Sequence, residues 1–518
     1  MFKLIHKATG GNLTVDTLSG LTVALALVPE AVAFAFVAGV EPIVGLYGAF
    51  IMGLIAAIFG GRPGMISGAT GAMAVVMVAL VSTHGVEYLF AAVLLAGIIQ
   101  ILAGLGRLGK FIRMVPHSVM LGFVNGLAIV IFLAQFKQFK MMQNGVETWL
   151  PQQEIFIMLG LVALTMLIIH FLPKFTKVIP STLAAILVVT LLVIGLDIDT
   201  RTVQDVLVNM TNNPDATIGG NLPVFAWPDV TFSLETLWII LPFSLILAGV
   251  GLIESLLTMT LIDDLTETRG QGNRECIGQG LGNAINGMFG GMGGCAMIGQ
   301  GMINIKSGGR SRWSGISAAL FLLIFILYTS QYIELIPVAA LVGVMFIVVL
   351  GTFEWSSIQL FGKVPKSDVF VVILVAVVTV WQDLAIAVII GVIVSALVFA
   401  YQQAKHLTST VEVNDAGAKV YHINGSVFFG SIHCFKEMCT AKDDPENVII
   451  DFANARVYDH SGIEAIDKLA EKYEKYGKTL KIRHLSPECL NLLKNAGNVV
   501  EVDKATDPQY HIADDKLG

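Results

Sequence analysis

Two acidic residues fall inside segments that are otherwise apolar, and their carboxylates are the first candidates for chemistry. Glu30 follows Pro29 in the middle of the apolar segment 17–38, and Glu254 lies late in the apolar segment 235–258. A charged group at membrane depth is costly and usually marks an ion or substrate path. Glu254 could instead end its helix near the cytoplasmic surface, but runs of Leu, Ile and Gly on both sides of it favour a functional role.

Two weakly apolar segments of small residues are the second candidate feature. They are Ser67-Gly-Ala-Thr-Gly-Ala-Met73 and Gly293-Gly-Cys-Ala-Met-Ile-Gly299, and they resemble interrupted helices. A single segment of this kind is best explained by close helix packing. A pair in matching positions of two halves indicates a substrate site in an inverted-repeat transporter, and we favour that interpretation here.

The composition predicts that both features lie inside a membrane protein. Of 518 residues, 55% are hydrophobic and only 14% are charged, and the mean hydropathy is +0.75. These values are typical of a chain whose main solvent is lipid. Apolar segments long enough to cross a hydrocarbon layer of about 30 Å recur about fourteen times. We place them at 17–38, 43–60, 67–82, 88–106, 116–135, 155–172, 178–196, 235–258, 276–291, 294–305, 314–331, 333–351, 368–382 and 384–402.

The distribution of Lys and Arg predicts the orientation of these segments. With a cytoplasmic N-terminus, the outer loops hold only Lys137, Lys140 and Arg201. The inner loops then hold Arg62, Arg107, Lys110, Arg113, Lys174, Lys177, Arg269, Arg274, Lys306, Arg310, Arg312, Lys363 and Lys366. An even number of spans leaves both termini in the cytoplasm. The acidic loop 197–229 lies outside and divides the spans into two halves of about seven, in each of which the third segment is a weak one.

Other classes of function find little support in the sequence. The five cysteines have no paired spacing, so we predict no disulfide framework. His433, Cys434 and Cys439 lack a second ligand pair, and we interpret them as packing residues rather than a metal site. The chain has no nucleophile elbow or P-loop, so we predict that it is not an enzyme. Residues 1–12 are short and have no cleavage site, so we interpret them as a cytoplasmic segment rather than a removable signal peptide.

The tail from about residue 407 has the pattern of a separate soluble α/β domain. Val420–Ile423, Val448–Phe452 and Leu480–Arg483 predict strands, and Ile463–Tyr476 predicts an amphipathic helix that stops at Gly477. Two helix starts are also predicted. Ser461 with Glu464 has the spacing of a capping box, and Ser486 followed by Pro487 resembles an N-cap with proline in the first turn.

These features together resemble the SulP family of anion transporters over nearly the whole chain. The specific stretches are Asp16-Thr-Leu-Ser-Gly-Leu-Thr-Val-Ala24, Pro29-Glu-Ala31, Gly45-Leu-Tyr-Gly48, Gly278-Gln-Gly-Leu-Gly-Asn283 and Asn304-Ile-Lys-Ser-Gly-Gly-Arg310. The tail is similar to a STAS domain, with Asp459-His-Ser-Gly462 at that domain's conserved loop. His460 takes the position that is phosphorylated in related signalling domains, and Ser461 is adequately explained as a helix cap.

The resemblance implies an α-helical polytopic fold of seven plus seven inverted spans with core and gate subdomains, followed by the STAS domain. Its boundaries are 1–12 for the N-terminal segment, 13–406 for transport and 407–518 for the STAS domain. An anion would lie between the facing N-termini of spans three and ten, where unpaired N–H groups carry about half a positive charge. The implied substrate-binding residues are Gly68, Ala69, Thr70, Gly71, Cys295, Ala296, Met297, Ile298 and Gln300, with Gly294 allowing close approach.

The same resemblance suggests how the carboxylates act. The family's bicarbonate transporter has an Asp at the position of Glu254 that contributes to a sodium site with a Thr one turn on, which Thr258 matches here. Its Gly-Ala-Thr run is replaced here by Ala296-Met-Ile298, which weakens the transfer of sodium coupling. Animal members have a Ser-Arg pair where this chain has Gly299-Gln300, so the fixed positive charge is missing. Because a carboxylate repels an anion unless it is neutralised, we expect Glu30 to carry a proton, or Glu254 with Thr258 to carry Na⁺.

The leading hypothesis is a secondary active transporter of sulfate or bicarbonate, by symport and an elevator-like movement in the cell (inner) membrane. A small dicarboxylate is the second substrate class. An anion channel and a membrane scaffold that binds a cytoplasmic protein through its STAS domain are the alternatives. We expect no cofactor beyond Na⁺ or H⁺, no nucleic-acid partner and a homodimer.

Overall fold

The computed structural model describes two compact units, residues 1–392 and 393–518. The described residues are 12–109, 116–143, 146–175, 180–211, 213–218, 221–231, 233–359, 362–382, 384–414, 417–486, 489, 492–493 and 499–501. Lys110, Arg113, Lys177 and Pro487, which the sequence arguments used, lie outside these residues, as does nearly all of the segment 1–12.

The first unit is built almost entirely of helices. Those of the first half are α1 Leu13–Ala38, α2 Pro42–Phe59, α3 Gly71–His84, α4 Val86–Leu105, α5 His117–Gln135, α6 Gln152–Phe175 and α7 Ser181–Gly195. After a short helix α8, Val203–Thr211, the second half has α9 Leu234–Thr266, α10 Gly272–Met288, α11 Ile298–Lys306, α12 Arg312–Glu334, α13 Val338–Thr352, α14 Ser356–Gln359, α15 Lys366–Trp381 and α16 Leu384–Lys405. The strands of this unit are β1 Ser67–Gly68, β2 Lys140–Gln143, β3 Val146–Trp149 and β4 Cys295–Ala296.

Each of the fourteen predicted segments overlaps a helix, and the last of these helices, α16, begins in the first unit and ends in the second. Nine helices among the described residues are long and apolar enough to cross a membrane, and α3 and α7 are shorter apolar helices. The count of fourteen spans therefore stays a prediction. Helix α9 extends to Thr266, eight residues beyond the predicted end, because hydropathy falls at Asp263 and Asp264 while the helical backbone continues.

Close helix contacts sort the helices into two bundles. Glycines on α5 pack against α15: Gly122 faces Val375 and Gly126 faces Thr379, and a Cβ at either glycine would lie within 2.7 Å of that neighbour. In the other bundle, α1 packs on α12 through Gly20, and α10 packs on α4 through Gly280. The paired strands β1 and β4 belong to this second bundle, where α2 and α9 contact them.

The second unit contains a four-stranded sheet in the order β5-β6-β7-β8. Its strands are β5 Thr408–Val413, β6 Lys419–Val427, β7 Asn447–Val457 and β8 Thr479–Arg483; α17, Ile432–Met438, follows β6 and α18, His460–Lys475, follows β7. The first pair is antiparallel and the other two are parallel. The apolar core between sheet and helices includes Tyr421, Phe435, Phe452, Ile463 and Tyr473. The predicted strands and helix are confirmed.

The predicted capping box at Ser461 is wrong, because the N-cap lies two residues earlier in the chain. Helix α18 begins at His460, and its N-cap is Asp459, whose side chain accepts a hydrogen bond from the Gly462 N–H at 2.9 Å. Ser461 lies inside the first turn and is not the cap. A carboxylate caps as well as a hydroxyl and also favours the helix dipole, so Asp459 takes the position. Ser486 does accept a hydrogen bond from the Cys489 N–H, as an N-cap would.

A buried aspartate holds the core of the second unit together. The Asp444 carboxylate accepts hydrogen bonds from Lys419 Nζ at 2.6 Å, from the hydroxyls of Tyr421 at 2.7 Å and Tyr473 at 2.5 Å, and from Thr440 Oγ1 at 2.8 Å. Burial alone would raise the pKa of Asp444, but the hydrogen bonds from Lys419 and the three hydroxyls outweigh it and hold the pKa below its ordinary value. The network joins β6, α18 and the segment 440–444 between α17 and β7 through one ionised group.

We predict that Asp444→Asn destabilises the second unit by about 2–4 kcal/mol at pH 7, because the buried donors lose their charged acceptor. A folded-state pKa below the unfolded value of about 3.9 stabilises the fold above that pH, and the stabilisation is lost as the pH falls through the folded pKa. The difference between wild type and variant is therefore large at pH 7 and shrinks as the pH falls below the unfolded value. The stability difference is measured on the full chain in urea, from the hydrogen-exchange protection factors of β6 and β7. The exposed neighbour Asp443→Asn is the matched control, and an equal effect of both substitutions would contradict the prediction.

Candidate functional site

The two weak segments meet as a pair of very short antiparallel strands. Ser67 pairs with Ala296 and Gly68 pairs with Cys295. The Met297 N–H extends the pairing by donating to the Ile66 carbonyl at 2.9 Å. Since antiparallel strands run in opposite directions, the helices that follow them, α3 and α11, lead away from the crossing on opposite sides. Each helix therefore begins two or three residues after its strand, and the predicted interruption of both segments is confirmed.

Neither of these helices is capped by its own N-cap side chain. Thr70 precedes α3 and Met297 precedes α11, both with extended backbone and without a side-chain hydrogen bond to the first turn. The first N–H groups of a helix have no partner within the helix and carry a partial positive charge. Helix N-termini of this kind are suited to binding a negative group.

Small residues at the crossing are needed for packing of the strands themselves. A Cβ at Gly294 would collide with the carbonyl oxygen of Gly68, and a Cβ at Gly68 would lie 3.2 Å from Met297 Sδ. A Cβ at Gly71 would lie 2.7 Å from the Phe34 ring. Close packing thus accounts for these three glycines in this structure.

Glu254 is joined to the crossing through Cys295. The Cys295 Sγ donates to Glu254 Oε2 at 2.9 Å and lies 3.1 Å from Thr70 Oγ1. All three side chains are buried, and Glu254 lies twelve residues before the end of α9, so it is not a helix-end residue. The Thr258 hydroxyl donates to the backbone carbonyl of Glu254 at 2.8 Å. A continuous chain of hydrogen bonds therefore runs from α3 through β4 to α9.

Glu30 reaches the same segment from α1. Gln300, in the first turn of α11, donates from Nε2 to Glu30 Oε2, and both side chains are buried. The hydrogen bonds to Glu30 and Glu254 thus come from neutral groups, and within the described residues neither carboxylate is paired with Lys or Arg. A negative solute at the crossing would therefore meet two carboxyl groups without a fixed cation nearby.

The structure assembles most of the predicted site residues and adds one that the sequence arguments missed. Gly68, Ala69, Thr70 and Gly71 lie on the first strand and helix start, and Cys295, Ala296, Met297, Ile298 and Gln300 lie on the second. Ser255 was missed: its Oγ accepts a hydrogen bond from the Ala296 N–H at 3.0 Å. Its position next to Glu254 was the available signal. The described residues contain no group of three or more His, Cys, Asp or Glu side chains that could hold a metal ion.

The chain is similar to known proteins over most of its length. The family model described as "Sulfate permease family" matches residues 13–376, and the STAS domain model matches residues 409–510. The putative sulfate transporter YbaR of Bacillus subtilis is 44% identical over 485 residues, which cover 93% of this chain and 97% of that protein. The bicarbonate transporter BicA of a Picosynechococcus species is 30% identical over 502 residues, covering 89% of this chain and 86% of that protein.

Solved structures show the same fold. The transmembrane domain of a cyanobacterial bicarbonate transporter BicA has a TM-score of 0.63 and 32% identity, covering 73% of this chain and 97% of that chain. The structure of SLC26A9 has a TM-score of 0.76 at 17% identity, covering 97% and 90% of the two chains, and supports the fold alone.

We predict that Gly294→Ala disrupts the crossing, because its Cβ would overlap the Gly68 carbonyl oxygen and the strands would have to separate. Overpacking of this kind costs about 1–3 kcal/mol. The expected result is a lower unfolding temperature in detergent and faster hydrogen exchange at residues 295–297. Gly160→Ala on α6 is the control, because a Cβ there meets nothing within 4 Å. Equal behaviour of the two variants would contradict the prediction.

Proposed function

The chain belongs to the sulfate permease family, and we propose that it is a secondary active transporter that carries sulfate or bicarbonate together with H⁺ or Na⁺. It is a multi-pass membrane protein with a C-terminal STAS domain. The family consists of anion transporters, and its named relatives here carry sulfate or bicarbonate. The finer assignment of substrate, coupling ion and movement to this chain rests on the site.

The single observation that carries the proposal is the pairing of β1 with β4 directly before two helices, α3 and α11, whose N-cap side chains make no hydrogen bond to the first turn. Backbone N–H groups and helix dipoles bind an anion without a fixed cation. They recognise negative charge with little chemical selectivity, so a small dicarboxylate stays in the panel of test substrates. A channel is less favoured, because Gln300 supplies no permanent positive charge at the start of α11.

Coupling follows from the two carboxyl groups at the crossing. An ionised carboxylate repels an incoming anion, so the anion binds well only when the carboxylate is neutralised. We propose that Glu30 takes a proton, or that Glu254 with Thr258 binds Na⁺, in the same step as the anion. The run Ala296-Met-Ile298 offers no side-chain hydroxyl that could complete a sodium site with Glu254 and Thr258. This favours the proton.

The division of helices into two bundles supports an elevator-like movement. The bundle that holds the crossing contains α1, α10 and α12, whose glycine contacts fix them closely to their neighbours. We propose that this bundle moves as a body against the bundle that contains α5 and α15. The site would then open alternately to each side of the membrane.

We further propose the surroundings in which the transporter works. Residues 13–406 form the transport domain and 407–518 the STAS domain. The Lys and Arg distribution supports an inner-membrane location with both termini in the cytoplasm. We also propose that the transporter forms a homodimer and that its STAS domain binds a cytoplasmic protein.

Carboxyl neutralisation predicts how uptake responds to substitution. Purified wild type in proteoliposomes should take up labelled sulfate or bicarbonate faster when a proton or sodium gradient is imposed. Glu30→Gln should abolish stimulation by the proton gradient, or Glu254→Gln stimulation by sodium, because the amide cannot exchange a cation. A panel that adds fumarate identifies the substrate class. Full wild-type coupling in both variants would end the coupling proposal.

Gln300→Arg tests whether a fixed charge can replace the coupling cation. Gln300 already contacts Glu30, so a guanidinium at this position would form an ion pair with that carboxylate. We expect uptake to persist while its stimulation by the imposed gradient falls toward onefold. Gln300→Met, which has neither donor nor charge, controls for loss of the hydrogen bond. A well-folded Gln300→Arg protein with unchanged stimulation would contradict the prediction.

A further inference from the structure

Helix α10 carries a buried polar face that the function assigned so far does not use. Glu275, Gln279, Asn283 and Asn286 follow one another at helical spacing, and each is at most 1% exposed. Polar side chains at this depth are costly unless they are hydrogen-bonded. Their partners therefore indicate what the face is for.

Asn283 binds both backbone groups of the residue that precedes β4. Its Oδ1 accepts the Gly294 N–H at 2.8 Å, and its Nδ2 donates to the Gly294 carbonyl at 2.9 Å. Nδ2 also donates to Gln100 Oε1 on α4 at 2.9 Å. The Asn283 carboxamide thus forms the same pair of hydrogen bonds with the Gly294 backbone that a neighbouring strand would form.

Gln279, one turn earlier on α10, holds the other strand. Its Nε2 donates to Ser67 Oγ on β1 at 2.7 Å and to Glu275 Oε1 at 2.6 Å. Glu275 in turn accepts the Gly61 N–H at 2.7 Å through Oε2. One helix therefore reaches both strands of the crossing, each through one amide side chain.

The crossing needs such external support. Each strand has two residues, and a two-stranded ribbon is marginally stable by itself even at greater length. The same crossing sets the positions of the first N–H groups of α3 and α11, because these helices start within two residues of the strands. A small shift of either strand would change the distance between the two N-termini.

Close packing makes α10 a firm support. A Cβ at Gly280 would lie 2.6 Å from the Gly97 carbonyl oxygen on α4, and a Cβ at Gly287 would lie 2.6 Å from the Phe90 carbonyl oxygen. The backbones of α10 and α4 therefore touch along several turns. Asn283 and Gln279 extend from this pair of helices to the strands.

We propose that Gln279 and Asn283 are positioning residues of the anion site: they clamp β1 and β4 and so fix the two helix N-termini at the separation that holds the anion. The predicted effect of the clamp on anion affinity rests on the proposed function. Its structural part, restraint of the segment around Gly294, is independent of what is transported.

Asn286 provides a matched control on the same helix. It is also fully buried, but its Nδ2 donates to the Gly48 carbonyl at 3.4 Å and contacts neither strand. A general role of buried amides in helix packing would make Asn283→Ala and Asn286→Ala equivalent. A clamp would distinguish them.

The first test is hydrogen exchange of the full chain in detergent, without any substrate. We expect exchange across residues 292–297 to become about tenfold faster in Asn283→Ala, the effect of losing one to two hydrogen bonds. Asn286→Ala should leave that segment as in wild type. Equal exchange in the two variants would overturn the clamp.

The second test is the concentration dependence of uptake in proteoliposomes, with labelled sulfate or bicarbonate, whichever wild type accumulates. Asn283→Ala should raise KM about tenfold and change the maximal rate less than threefold, because the anion is held less well while the moving parts are intact. A fall in maximal rate alone would overturn the positioning role. If wild type accumulates neither anion, the proposed function fails and the exchange experiment still decides the clamp.

Gln279→Leu is a milder variant in case Asn283→Ala does not fold. It removes the hydrogen bond to Ser67 with little change in volume, and KM should rise about threefold. In a double-mutant cycle the effect of Ser67→Ala on KM should be much smaller in the Gln279→Leu background than in wild type. Additive effects of the two substitutions would overturn the contact.

Discussion

Backbone N–H and carbonyl groups in a lipid layer must find partners inside the protein, and this constraint governs the centre of the transporter. Two helices start in mid-structure, so the chain before each of them leaves backbone groups without helical partners. The β1–β4 pairing satisfies some of these groups, and Ser255 and Asn283 satisfy others. The N-cap side chains of α3 and α11 do not satisfy the first N–H groups of these helices, and these are the groups that we propose to bind the anion.

The same constraint explains why the site contains neutral and acidic side chains rather than a fixed cation. Backbone donors already supply positive potential, and a permanent Arg would hold an anion without any dependence on a second ion. In the proposed symport, Glu30 and Glu254 have the opposite effect, since each carboxylate repels an anion until it is neutralised. The anion affinity would then depend on a cation, and anion and cation would bind and leave together.

The second unit is organised by a different principle. It has its own apolar core between a sheet and two helices, and one ionised aspartate, Asp444, at the centre of a hydrogen-bond network. In this unit the charge stabilises the fold because four donors surround it, whereas Glu30 and Glu254 of the first unit each accept one hydrogen bond from a neutral side chain. Buried Glu275 accepts two, from Gln279 and from the Gly61 N–H, and belongs with the structural carboxylates.

Hydropathy and helix signals along the chain were sufficient to predict the helices, the paired interruptions and the two buried carboxylates, because each of these depends on the local solvent or on neighbours within a few residues. The capping residue of α18 was misjudged because Asp459 and Ser461 both suit an N-cap, and only the path of the chain after β7 selects between them. Three contacts at the crossing join residues that are distant in the chain, in one case by more than two hundred positions. They are the pairing of Ser67 with Ala296, the hydrogen bond from Cys295 to Glu254 and the hydrogen bonds of Asn283 to Gly294. Such contacts leave no periodic signal in the sequence, so tertiary structure alone decides them.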